Sequence, residues 1–306
     1  MAESIEWGGD ITSAARTADV SIINAPYDPN MNRMPEIASG DYISMEDGNE
    51  LFYGQFRGIE RSSETGTITY NASDIMIHLL NSRGKYNFKN LSPEEITLMV
   101  CRDIGMETGQ IASTGIIIPS MLCDSDSYYD IIMKAYTKAF MVNGIKYMCA
   151  IKNRKLDVIE KGKQAYGITL SDKVNLYNAS ISESTEAVIN QVKIYDGQGN
   201  QIGEVRDELS IAKYGMFQEN YTAESGIDPN TAARNLIKEP EQTLSIEAIG
   251  NINCTAGNAV TVKDAATQMQ GLYWIKSDRH TWQGGVHTMQ LDLIFKDMMD
   301  AKGMGE

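Results

Sequence analysis

Histidine is scarce in this sequence: 306 residues contain three, His78, His280 and His287. Chemistry that relies on a histidine base therefore has few places to reside. The four cysteines, Cys101, Cys123, Cys149 and Cys254, form no C-x-x-C pair and read as buried, reduced thiols. No apolar run is long enough to span a bilayer. The N-terminal stretch MAESIEWGGDITSAAR lacks the basic region and apolar segment of a signal peptide, so synthesis in a cytoplasm is expected. There is no G-x-S-x-G elbow and no G-x-x-x-x-G-K-[ST] phosphate loop. The stretch GQGNQIG has the wrong glycine spacing for a dinucleotide fingerprint and reads as a polar turn. Solenoid repeats and low-complexity tracts are also missing.

What is present describes an ordinary folded protein, 42% hydrophobic and 22% charged, long enough for two or three domains. The net charge of −14 opposes affinity for phosphate backbones. Its distribution divides the chain. Residues 1–80 carry 4 basic and 13 acidic side chains, residues 81–165 carry 12 and 9, and residues 166–306 carry 11 and 19. Two acidic regions thus flank a mildly basic one, which suggests three units with those boundaries.

Periodicity changes at the same places. DYISMEDGNELFYGQFRGIERSSETGTITYNAS alternates apolar and polar residues around Asp47-Gly48 and again around Ser62–Gly66, the pattern of strands joined by tight turns. Simple alternation puts Phe52 and Phe56 on one face and Tyr53 and Ile59 on the other. In the middle region LSPEEITLMVCRDIG has the marks of a helix: Ser92 as N-cap, Pro93 at the first position, Glu95 closing a capping box and Gly105 as stop. Ile96, Met99, Val100 and Ile104 form its expected apolar stripe. DSDSYYDIIMKAYTKAFMVNG predicts a second helix with Tyr129, Ile132, Met133, Tyr136 and Phe140 on one face. A hairpin turning near Asn153-Arg154 follows. The last region returns to strands, with a turn at Asp196–Asn200 and one helix capped by Asp228 with Pro229 at its start.

The histidine-bearing stretch SDRHTWQGGVHTMQLDLIF is the one that could hold a site. A two-residue turn at Gly284-Gly285 makes Gln283 face Val286, Trp282 face His287 and His280 face Met289. The histidines then share the core-facing side with Met289, Leu291, Leu293 and Phe295. Zinc would need further ligands on that face, and Asp278 is the only local candidate. A His–Trp–His packing cluster is the simpler expectation. DSDSYYD begins like a calcium loop but has Tyr128 where a ligand belongs and no turn glycine, so Asp124 and Asp126 read as helix caps. Glu94 and Glu95 serve the dipole of their helix. No catalytic, cofactor-binding or metal-binding residue is assigned and no cofactor is expected.

Six stretches, IEWGGDITSAARTADVSI, GDYISMEDGNELFYGQFRGIER, NLSPEEITLMVCRDIG, DIIMKAYTKAFMVNGIKYMCAIKNRKLDVIEKG, GNAVTVKD and SDRHTWQGGVHTMQL, together resemble the XkdQ-type tail-hub proteins of contractile phage tails, prophage particles and tail-like bacteriocins. The resemblance covers roughly residues 5–296. It implies an α+β, mainly β fold: two tail-tube-like β-barrel or sandwich domains, 1–80 and 166–306, with a small α+β domain, 81–165, inserted between them. It implies a homotrimeric baseplate ring adapting a sixfold tube to a threefold spike. Expected partners are the tail-tube ring, spike and baseplate proteins and the tape measure protein, with no membrane and no specific nucleic-acid binding. The rival readings are a tail-tip peptidoglycan hydrolase and a wall-binding module presenting Trp7 or Trp274 on a groove.

Overall fold

The computed structural model describes residues 2–30, 36–161, 165–223, 228–295 and 299–302. The fold is α+β and predominantly stranded, with several sheets. The chain groups into two compact units, Met1–Ala179 with Ser245–Glu306, and Ser180–Leu244.

The first unit opens with β1 (Ala2–Asp10), β2 (Ser13–Ile23), β3 (Tyr42–Asp47), β4 (Asn49–Ser62) and β5 (Thr67–Asp74). These pair antiparallel in the order β1-β2-β5-β4-β3. Gly48 and Gly66 make the two expected turns with φ of 72° and 66°. One expectation fails. Ile59 lies with Phe56, not opposite it, because a bulge between Phe56 and Gly58 adds one residue to β4 and flips everything beyond it.

The middle of the chain supplies α1 (Ile77–Asn81), β6 (Arg83–Leu91), α2 (Pro93–Ile104), β7 (Thr108–Ile111), β8 (Ile118–Ser127), α3 (Tyr128–Asn143), β9 (Tyr147–Lys152) and β10 (Lys155–Glu160). The capping box of α2 forms as read: Ser92 accepts from the Glu95 amide and the Glu95 carboxylate accepts from the Ser92 amide. Its buried side, however, is Ile96, Thr97, Val100 and Cys101, and Met99 is 39% exposed. Threonine can take the inward place because its hydroxyl donates to the Pro93 carbonyl. Helix α3 is buried almost all round, including Ile131, Ile132, Met133, Ala135, Tyr136 and Ala139. Its cap is Ser127, whose hydroxyl accepts from the Asp130 amide. Asp124 and Asp126 lie in β8 and pair with Lys85 and Lys134, so they are not helix caps. Asn153 and Arg154, with φ of 49° and 62°, form the expected turn between β9 and β10.

After β11 (Ala165–Ser171) and β12 (Leu176–Ser184), the chain enters the second unit. There β13 (Gln191–Tyr195), β14 (Gln201–Arg206) and β15 (Gln218–Thr222) form a small sheet in the order β14-β13-β15, accompanied by α4 (Glu208–Tyr214) and α5 (Pro229–Leu236). Val192, Ile194 and Ala233 make its core. Buried Asn190 ties down the turn after α4, accepting from the Phe217 amide and donating to the Gly215 carbonyl, each at 2.7 Å.

The chain returns along β16 (Glu241–Ile249), then β17 (Ala259–Asp264), β18 (Met269–Gln283) and β19 (Val286–Ile294). The 15-residue β18 divides its pairing: its first part pairs with β17 and its second with β1. The β1–β18 ladder joins strands from both ends of the chain into one sheet of eleven strands, whose main path runs β12-β16-β19-β18-β1-β2-β5-β4-β3.

Candidate functional site

The β1–β18 join lies in the middle of the sheet's main path. Residues in register across six strands form one buried row: Met289, His280, Trp7, Ala18, Ala72 and Phe56. The next row on that side is His287, Trp282, Ile5, Val20, Tyr70 and Ile59. The Gly284-Gly285 turn sets this register, with φ of 58° and 81°, and the cross-strand pairs are those read from the sequence.

The histidines pack as an aromatic cluster. Trp282 stacks on His287 with centroids 4.1 Å apart, and Trp7 lies 5.1 Å from His280. His280 is fully buried. Its Nε2 lies 3.1 Å from the Cys254 carbonyl, which only accepts, so Nε2 carries the proton. Its Nδ1 must then accept from His287 Nε2, 3.0 Å away. Both nitrogens of His280 are thus engaged, and none offers a lone pair to a metal. Burial pushes the His280 pKa down to about 4, against the opposing pull of Asp278. Among the described residues no group of three or more His, Cys, Asp or Glu side chains converges as a metal site.

Beside this cluster Asp278, the local ligand candidate of the sequence reading, meets an arginine that reading passed over. Arg16 and Asp278 both occupy inward strand positions and form a two-pronged ion pair, at 3.0 Å and 2.5 Å. Asp278 is fully desolvated, and the Arg16 guanidinium also covers the Trp7 ring at 4.1 Å. Asp74 is buried nearby and accepts from the Arg16 and Met76 amides. Burial raises its pKa to about 7, the amide bonds and Arg16 only partly offsetting this. The signal was present in the alternation of SAARTADVSI, which puts an arginine on the same side as Ala18. Without a partner in view, a lone inward charge reads as noise.

The other side of the sheet is polar. One row runs Thr288, Thr281, Glu6, Asp19 and Asn71, and beyond it lie Asp10, Glu60 and Asp292. Arg279 shares this side, and Asn71 donates to Asp19 at 3.0 Å. A groove of about 350 Å³ opens here between Gly8, Asp10, Thr17, Ser277, Arg279 and Asp292.

The remaining candidates disperse. His78 is half-buried in α1, and Glu94 accepts from the Ser113 and Thr114 hydroxyls. The four cysteines are buried, with thiol pKa values raised by desolvation at Cys101, Cys149 and Cys254. Trp7 is only 4% exposed, which removes it as a wall-binding platform, and Trp274 is half-buried.

The sheet is buried on one side and polar on the other, and Arg16, Asp74 and Asp278 on the buried side bond to one another or to backbone amides. Residues 5–294 match the YQBQ-like family, and the chain belongs to it. The chain is 26% identical to the uncharacterized protein YqbQ of Bacillus subtilis, over 97% of this chain and 93% of that one. It is equally similar, at 26%, to the phage-like element PBSX protein XkdQ of the same organism, over 98% and 94%. Among solved structures, the 43 kDa tail protein of prophage MuSo2 from Shewanella oneidensis shares the fold with a TM-score of 0.72, covering 96% of this chain and 94% of that one at 13% identity. The Escherichia coli c3393 protein, a type VI secretion component structurally similar to the T4 tail proteins gp27 and gp5, gives 0.59, covering 99% and 76% at 11% identity. The chain is thus related to a phage-like element protein and shares its fold with a prophage tail protein.

Proposed function

We propose that three copies of this chain form a baseplate ring that adapts the sixfold tail tube to the threefold spike. In this reading residues 1–80 and 166–306 are two tube-like domains, and residues 81–165 are the domain inserted between them. The observation that carries it is the β1–β18 ladder. It joins a five-stranded set, β1 to β5, to a second set of β11, β12 and β16 to β19 in one sheet, which supports reading them as two tube-like repeats. Three such chains present six repeats to a sixfold tube.

The main sheet path ends at β3 on one side and β12 on the other. Such edges present unpaired backbone groups and are natural joints to a neighbouring copy. The polar side, with Glu6, Asp10, Asp19, Glu60 and Asp292, suits the wall of a channel, since carboxylates repel passing phosphates. Its partners in this reading are the tail-tube ring, spike and baseplate proteins and the tape measure protein, in a virion tail or a tail-like particle.

Light scattering of the purified chain, alone and mixed with its tail-tube protein, tests the ring. The expected mass is three times 33.9 kDa in at least one of these conditions. A monomer in both would count against it. Proline at Ser44, in edge strand β3, should lower the trimer fraction without unfolding the monomer.

A further inference from the structure

Residues 81–165 carry a sheet face with no partner among the described residues. Strands β6 and β8 form a two-stranded ribbon. One side is buried through Phe88, Met121 and Cys123 against the helices. The other side presents alternate β6 residues Arg83, Lys85, Asn87 and Lys89, all exposed. Across from them on β8 lie Ser120, Leu122 and Asp124, and Leu122 is 73% exposed.

Local contacts only partly use this charge. Arg83 donates to the Ser125 carbonyl, and Lys85 pairs with Asp124 in an ion pair about three-quarters exposed on both sides. Such a pair is worth little to the fold itself. An apolar side chain framed by cations is poor solvent-facing design but a good interface core with a charged rim.

We propose that this ribbon docks on the acidic β3 edge of a second copy of the chain, where Glu46 and Asp47 are exposed. Charge decides the occupant. The ribbon belongs to a region of 12 basic and 9 acidic residues, while residues 1–80 and 166–306 are strongly acidic, with 13 and 19 acidic side chains against 4 and 11 basic ones. Two copies cannot pair ribbon to ribbon, because like charges would meet. The favourable contact joins unlike surfaces, and a head-to-tail contact of that kind makes a ring when its rotation closes, as the trimer reading requires. The inference rests on the trimer reading above and adds the surface that holds neighbours together.

The test compares the full-length wild type with the double variant Lys85→Glu, Lys89→Glu by light scattering at low and moderate salt. Thermal melting serves as a control for folding. A parallel experiment treats an equal mixture of ¹⁴N- and ¹⁵N-labelled wild-type chains with a zero-length amine–carboxylate cross-linker. The expected result is a trimer dissociation constant raised roughly tenfold or more in the variant, with an unchanged melting temperature. Lys85 or Lys89 should also cross-link to carboxylates of a differently labelled copy. A variant that trimerises like the wild type overturns the ribbon interface and leaves the ring reading standing. Cross-links confined to one chain, or made to the tube protein in place of a second copy, overturn the choice of a second copy. A wild type that is monomeric alone and with tube protein defeats the ring reading itself.

Discussion

His280 and Asp74 lie near the same join, and their charge states oppose each other. The His280 pKa falls to about 4 in the folded chain from an ordinary 6.5. Between those values the unfolded chain binds the extra proton, so stability drops as pH falls from about 6.5 towards 4. Asp74 is raised from 3.8 to about 7, so the folded chain binds the proton in that window and stability declines as pH rises through it. Replacing one group should expose the other. Relative to the wild type, His280→Gln should remove the loss of stability between about pH 6.5 and 4, and Asp74→Asn the decline as pH rises from about 4 to 7, both read by urea denaturation at each pH. Because both His280 nitrogens are engaged, a chelator should leave the melting temperature unchanged, and the purified chain should contain no stoichiometric zinc. Trp7→Ala should cost about 3–5 kcal/mol, since it opens a cavity under Arg16 and His280 together.

At the scale of elements, the hairpin of β18 and β19 depends on two adjacent glycines in the left-handed region. Gly284→Asn should be nearly neutral, because asparagine suits the first position of this turn. Gly284→Val should lower stability by about 1–2 kcal/mol, read from the shift of the denaturation midpoint. The turn was legible because its chemistry is local, and the same holds for the Ser92/Glu95 capping box, Gly105, the Asn153-Arg154 turn and the Asp228-Pro229 helix start. Sequence alone placed Ile59 on the wrong face because a bulge cannot be seen in an alternating pattern. It put Met99 in the stripe of α2 because hydropathy gives no weight to Thr97, whose hydroxyl is satisfied within the helix. It extended α3 back through Asp124 and Asp126 because strand β8 runs straight into the helix, its last residue Ser127 serving as the N-cap. At the candidate site the histidine register could be read, while the Arg16–Asp278 pair spans 262 positions and only the folded chain brings it together.

At the scale of the whole molecule, the residues from Ser180 to Leu244 behave as an excursion from one sheet. The chain leaves along β12 and comes back along β16, neighbours in that sheet. The Asn175 carbonyl accepts from the Ile249 amide, and Gln242 donates to Glu183, so the two strands run antiparallel like the arms of a hairpin. The excursion has its own core in Val192, Ile194 and Ala233, and its own buried latch in Asn190. Its strands and turns read like those around it, although its 11 acidic and 5 basic side chains exceed in net charge the 8 and 6 of residues 166–179 and 245–306. A deletion follows from this geometry. Replacing residues 185–240 by a two-residue Asn-Gly turn keeps both β12 and β16 and closes them by the shortest connection a hairpin uses. The shortened chain should remain folded, with a cooperative melt and the near-ultraviolet signature of the Trp7–His280–Trp282 cluster. Its stability should fall by no more than a few kcal/mol, because the eleven-stranded sheet and the α3 core lose no buried side chain. Loss of the cooperative melt would mean that the excursion is part of the main fold and not an insertion in it.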